Sequence, residues 1–209
     1  LRNFGFNSSF VKNFFFNDRD ADEVEALLKY ISAYPPERLL NPVPYILSKT
    51  LIIAIERLSS KQKINELFPL IANRKEVFSS MEPAELNKSL AKVLVSCVQV
   101  ALSDYDFAAF KRVIDFFHSV KFELTEQVCN RILESLNKSV VDDSIIEYFL
   151  NYMKENAIAP NIVSYNTVMD YYCSNHKVDK AFEIYEAIKA QGIKVDNFTF
   201  TILIKGLRL

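Results

Sequence analysis

The sequence predicts an all-α protein built as a solenoid of stacked helix-turn-helix repeats. Three observations lead there. Half of the 209 residues are hydrophobic while only 3 Gly and 7 Pro occur, and the dominant Leu, Ile, Val, Ala, Lys and Glu favour helix over turn-rich β architecture. A 35-residue period is visible near the C-terminus, where Val163, Ser164 and Tyr165 return as Phe198, Thr199 and Phe200, and Val168 and Met169 return as Leu203 and Ile204. Apolar residues recur at helical rather than alternating spacing throughout the second half of the chain.

The segment VSYNTVMDYYCSNHKVDKAFEIYEAIKAQGIKVDN, from Val163, holds one full period. Tyr165, Val168, Met169 and Tyr172 give a leading helix one apolar stripe, and Ser174, Asn175 and His176 break it. A second helix is expected from Asp179, taken as its N-cap, with Ala181, Phe182, Ile184, Tyr185 and Ile188 on its buried side. Gly192 ends that helix, since glycine accepts the left-handed cap conformation without steric cost. Two such helices cannot bury both stripes alone, so neighbouring hairpins must stack.

Upstream, Ile145, Ile146, Phe149, Leu150 and Met153 mark a second helix ending near Ala157, with IAPN in the place of IKVD. Its leading partner is Val128 to Leu136. One pair earlier, Leu90 to Leu102 is the leading helix and Phe107 to Val120 the second, joined by SDYD. Tyr45 to Leu58 with Ile64 to Ile71 forms a further pair, and a lone helix from Asp20 follows a Phe-rich start. Tyr34-Pro35-Pro36 and Asn41 to Pro44 read as inter-helix turns, because proline cannot donate a backbone bond and disfavours helix before it. Arg74 to Pro83 is a short extra helix or an irregular loop. The expected organisation is a degenerate helical region over 1–89, then repeats at 90–126, 127–161, 162–196 and a partial copy over 197–209.

The 35-residue period, the Tyr165-Asn166 pair, the AFEIYEAIKAQGI helix and the closing Asp196 resemble the pentatricopeptide repeat. The tetratricopeptide repeat differs in its 34-residue period and in a leading helix containing Trp and Gly. The resemblance implies a right-handed superhelix in which each repeat reads one base of single-stranded RNA with two or three side chains of its leading helix. It makes Asn166 and Asp196 a base-reading pair preferring uridine, with Val163 packing against the base. Asn130 with Asn161 is the counterpart one repeat earlier, leaning towards pyrimidines, unless a one-residue shift puts Arg131 in the groove. Thr201 is the next candidate, and Ser96 a distant one. The lone final helix implies that the array continues or docks onto a partner.

Bland readings stand beside these. Asn166 can cap or bridge neighbouring helices, and Tyr171-Tyr172 belongs in a core as readily as against a base. Cys97, Cys129 and Cys173 sit among apolar neighbours at spacings that suit neither a disulfide framework nor a metal site, and His118 and His176 lack a second ligand nearby. The Phe14, Phe15 and Phe16 cluster is either core or a docking site. No phosphate loop, nucleophile elbow or metalloprotease motif occurs, so neither an enzyme nor a cofactor is expected. The longest apolar runs fall short of the ~20 residues that cross a bilayer, so no membrane partner is expected. The net charge of −1 supplies no basic field to attract phosphates. Leu1 in place of Met points to a processed or partial N-terminus.

By resemblance the partner is single-stranded RNA and the setting organellar, mitochondrial or plastid, in RNA processing, stability or translation. The weak charge and blurred upstream repeats leave a second expectation, a structural protein-interaction subunit of an organellar ribosome or other ribonucleoprotein. A third is the targeting arm of an RNA-processing enzyme.

Overall fold

The computed structural model of the protein describes residues 83–119, 122, 124–139 and 141–208. The expected elements before Pro83, with both proline turns and the Phe14 to Phe16 cluster, lie outside the described residues. Among the described residues there are seven helices and no strand. They are α1 (Pro83–Ser103), α2 (Phe107–Ser119), α3 (Glu126–Asn137), α4 (Asp143–Glu155), α5 (Ile162–Ser174), α6 (Val178–Ala190) and α7 (Asn197–Gly206). The described residues fall into two compact units, one holding 83–101, 109–119 and 122 and the other 102–108, 124–139 and 141–208.

In the first unit, α1 starts seven residues before the expected Leu90, and Pro83 opens it where a missing N–H leaves no hydrogen bond unmade. Val93, Leu94 and Val98 are fully buried on α1, and Phe110, Val113, Ile114 and Phe117 on α2, the 3.6-residue pattern that the sequence displays. Ser96 is only half-buried, deep within α1 rather than near a helix start.

In the second unit the leading helices α3, α5 and α7 pack side by side, with α4 and α6 against their own partners and α6 also against α7. This is the stacked-hairpin architecture expected, an all-α helical repeat. Cys129, Ile132, Leu133, Phe149, Val168 and Met169 lie in its interior. Tyr171 and Tyr172 are buried in core positions, and all three cysteines are buried free thiols. Burial pushes the Cys97 thiol up to about 12, and burial with the nearby Glu126 charge does the same to Cys129.

The helix ends explain the punctuation. At the close of α6, Gly192 (φ +74) donates to the Lys189 carbonyl at 2.9 Å and Ile193 to Ile188 at 3.0 Å, a Schellman motif. The same two-bond closure recurs after α4 at Ala157 (φ 57) and after α5 at His176 (φ 59), where side chains sit in the left-handed region that Gly192 occupies freely.

Two local expectations are corrected. Asp179 does not cap α6; Lys177 holds the N-cap position without a side-chain bond, and Asp179 lies in the first turn, where its charge suits the helix dipole. Phe182 is exposed rather than buried, on a surface where its ring meets Tyr185 edge-on at 6.5 Å and Tyr185 in turn meets Phe200 of α7 at 6.2 Å.

Candidate nucleic-acid interface

Each leading helix in the second unit begins at a polar cap. Thr125, Asn161 and Asp196 are the N-caps of α3, α5 and α7, each accepting from the backbone N–H three residues on. Asn130, Asn166 and Thr201 all stand five residues after those caps. Because the leading helices lie side by side, this fifth side chain of one helix meets the cap of the next.

At the α5–α7 joint, the Asn166 amide nitrogen donates to Asp196 Oδ1 at 3.2 Å, and its oxygen accepts from the Thr199 hydroxyl at 2.8 Å. Asp196 Oδ1 also accepts from the Thr199 N–H at 2.8 Å, while the Asp196 N–H donates back to Thr199 Oγ1 at 3.3 Å, completing a capping box. The Thr199 N–H foremost, joined by its hydroxyl and the Asn166 amide, holds the Asp196 carboxyl below its usual range against the opposing effect of burial. An ionised carboxylate only accepts, so the amide nitrogen must be the end of Asn166 that faces it.

The α3–α5 joint repeats this pattern. The Ser164 hydroxyl donates to Asn130 Oδ1 at 2.5 Å, and the Asn130 amide nitrogen reaches Asn161 Oδ1 at 3.4 Å. Asn161 and Ser164 form the capping box, with Ser164 N–H to Asn161 Oδ1 at 3.0 Å and Asn161 N–H to Ser164 Oγ at 3.2 Å. Asn161 has no second oxygen, and its amide nitrogen donates instead to Glu126 in the first turn of α3.

The contacts resolve the register left open by the sequence. Thr125 to Asn161 is 36 positions and Asn161 to Asp196 is 35. The α3–α4 turn, 138–142, is two residues longer than the α5–α6 turn, 175–177, and α3 is one residue shorter than α5, which leaves the one additional residue. Asn130, not the exposed Arg131, takes the inter-helix position. The longer turn is tied down by the Tyr171 hydroxyl, which lies 2.8 Å from the Val141 carbonyl and 3.1 Å from Asp143 Oδ1. Asp143 also binds Lys177 at 2.8 Å and Lys180 at 2.9 Å; burial alone would raise its pKa, but these bonds lower it to about 2.

Asn166 is 5% exposed and Asn130 9%, so both lie at the floor of the surface made by the leading helices. The bridging role of Asn166 is visible directly, and its partners are polar. One turn closer to the helix start, Val163 is 46% exposed and Phe198, its counterpart on α7, 66%. Thr201 is exposed and turns its hydroxyl onto the Asn197 carbonyl of its own helix at 2.9 Å, so it joins no inter-helix bond of this kind among the described residues. At the other end of the same helices, Asp170 accepts from Asn137 at 3.0 Å and from Lys205 at 2.8 Å, a second polar tie across α3, α5 and α7.

Sequence reasoning passed over Ser164, Thr199, Glu126 and Phe198. A hydroxyl three residues after an Asn or Asp cap was the available signal for the first two, and the 35-residue correspondence with Val163 for the last. Glu126 carried no such signal. His118 and His176 are exposed, and among the described residues no group of three or more His, Cys, Asp or Glu could hold a metal ion. Among them, too, no helix is long and apolar enough to cross a membrane.

Helical hairpins recurring at near-constant spacing, with leading helices joined by one repeated polar contact, define a helical-repeat protein. The family comparison agrees: residues 160–208 match the PPR repeat family and residues 121–175 the pentatricopeptide repeat domain. Residues 121–208 thus carry pentatricopeptide repeats. No curated protein matches it in sequence. Among solved structures it is similar to the pentatricopeptide repeat protein PPR10 in complex with an 18-nt psaJ RNA element, at 13% identity, TM-score 0.45, over 88% of this chain and 32% of that one. A cysteine-to-serine variant of PPR10 with the same RNA element gives the same figures. The chain thus spans about a third of the length of these structures.

Proposed function

We propose that this protein binds single-stranded RNA along the surface of its leading helices, one base per repeat, and acts in organellar RNA metabolism, in a mitochondrion or plastid. In this reading Asn166 with Asp196 takes uridine and Asn130 with Asn161 takes a pyrimidine, while Val163 and Phe198 pack against base faces. The observation that carries it is the recurrence of one polar joint at two successive helix pairs, each with an exposed side chain three residues before the joint asparagine, Gln127 and Val163. In each joint the asparagine spends one amide proton and one oxygen lone pair within the protein, leaving one donor and one acceptor for a base edge. The organellar setting rests on the family resemblance, and the reading includes no catalytic step.

The net charge of −1 favours a second reading, a protein-interaction subunit of an organellar ribosome or other ribonucleoprotein with little base-specific binding. Titration of the protein with poly-U and poly-A at low and moderate salt separates the two. RNA reading gives tighter binding to poly-U, weakened in Asn166→Ala; the scaffold reading gives no measurable affinity for either and a stable protein partner on co-purification.

A further inference from the structure

The geometry points to Thr199 and Ser164 as specificity-determining positioning residues that fix which way the preceding repeat's asparagine presents its amide. The inference rests on the RNA reading and adds to each base-reading pair a third member, the hydroxyl at the third residue of the following leading helix. An asparagine amide has near-equal shape when its oxygen and nitrogen are exchanged, so a side chain read by a base needs something that tells the two ends apart. In a base-edge contact the exchange inverts donor and acceptor, which is enough to turn a match into a mismatch.

At the α5–α7 joint the two ends are told apart twice. The Asp196 carboxylate requires a donor, and the Thr199 hydroxyl, which accepts from the Asp196 N–H at 3.3 Å, has two oxygens within reach of its one proton, Asn166 Oδ1 at 2.8 Å and Asp196 Oδ1 at 3.0 Å, the nearer being that of Asn166. At the α3–α5 joint no carboxylate faces Asn130. Asn161 could itself flip, but the Ser164 N–H holds its oxygen at 3.0 Å and Glu126 holds its nitrogen, so the Ser164 hydroxyl to Asn130 contact at 2.5 Å meets an already ordered cap. Ser164 and Thr199 are both wholly buried, which shields these bonds from competing water. The two joints share this arrangement although their caps differ, and the asparagine and the hydroxyl are the elements that do not change in kind. Base preference is therefore a property of three residues spread over two repeats.

The test compares the wild-type chain with Thr199→Val, Thr199→Ser and Asn166→Ala for binding to poly-U and poly-A, with helicity and thermal melting recorded for each. Thr199→Val keeps the shape and removes the hydroxyl; it is expected to lower the poly-U over poly-A preference about tenfold, the equivalent of one lost oriented contact. Thr199→Ser, which restores the donor, is expected to regain most of that preference even if its melting point stays below wild type. If Thr199→Val and Thr199→Ser lose preference alike, in step with melting, the hydroxyl acts only on stability and the inference is overturned. Retention of full preference in Thr199→Val, alongside its loss in Asn166→Ala, overturns the inference while leaving the RNA reading intact. A wild-type chain that does not distinguish the two polymers overturns both.

Discussion

The two joints between leading helices use the same three positions with different chemistry. Between α5 and α7 the cap is Asp196, a carboxylate whose ionised state fixes the neighbouring amide by charge as well as by hydrogen bonding. Between α3 and α5 the cap is Asn161, neutral and reversible, and the negative group has moved to Glu126 behind it. Both joints keep an acceptor at the cap and a hydroxyl three residues on, while the charge comes from a different place in each. It also separates what holds the helices together from what would distinguish one base from another.

Substitutions can break that comparison or sharpen it. The largest effect is expected at Gly206, where a Cβ would lie 2.5 Å from Cys173 Sγ and 2.9 Å from its Cβ, with Cys173 fully buried. Tyr171 of α5 and Ser135 of α3 occupy the same tenth helical position, so only the α5–α7 joint depends on a missing side chain. Gly206→Ala should cost about 1–3 kcal/mol through overpacking, outweighing the gain of alanine in a helix. Urea denaturation measures it, and a rise in stability would show that the close approach does not exist.

Next come the second-helix ends, which place glycine and alanine in one geometry. Ala157→Gly should stabilise by about 1 kcal/mol and Gly192→Ala should destabilise by a similar amount, because only glycine occupies a positive φ without strain. Equal signs for the two in thermal melts would deny that Ala157 and Gly192 are structural counterparts.

A smaller effect should appear on acidification. Asp143 and Asp196 have folded pKa values below the ordinary aspartate value of 3.8, so the stability each contributes is present above that value and lost as pH falls through the folded one. For Asp143 the window runs from 3.8 down to about 2. Melting temperatures of Asp143→Asn and Asp196→Asn should start below wild type at neutral pH and fall less steeply across it; parallel curves would remove these carboxylates from the acid response. Smallest of all, Thr201→Ala should change stability by no more than about 0.5 kcal/mol, since its hydroxyl bonds only its own helix.

Much of this was legible in the sequence because repetition exposes it. The 35-residue return of Val163, Ser164 and Tyr165 placed α5 and α7, and Gly192 marked an end that the backbone confirms with its positive φ. Asn130 was harder to place, because a longer α3–α4 turn and a shorter α3 together shift the spacing by one residue, and turn length leaves no periodic trace. Phe182 misled because its apolar character says nothing about whether its partner is core or another surface ring, here Tyr185. Ser164 and Thr199 stood in the repeat but not among the site residues, since a small hydroxyl near a helix start reads as ordinary capping until a neighbouring helix brings an asparagine to it. Tertiary contact, which no single segment encodes, made the site.

The most direct measurement converts one joint into the other. Asp196→Asn gives the α5–α7 joint the cap residue of the α3–α5 joint, without a Glu126 equivalent behind it, and equilibrium binding of oligo-U and oligo-C is then compared with wild type. If Asn166 and Asp196 read a base together, wild type prefers oligo-U and the variant relaxes towards equal binding of both pyrimidines. If both proteins bind the two oligomers with the same ratio, Asp196 takes no part in base selection and the leading-helix surface is not the reading face.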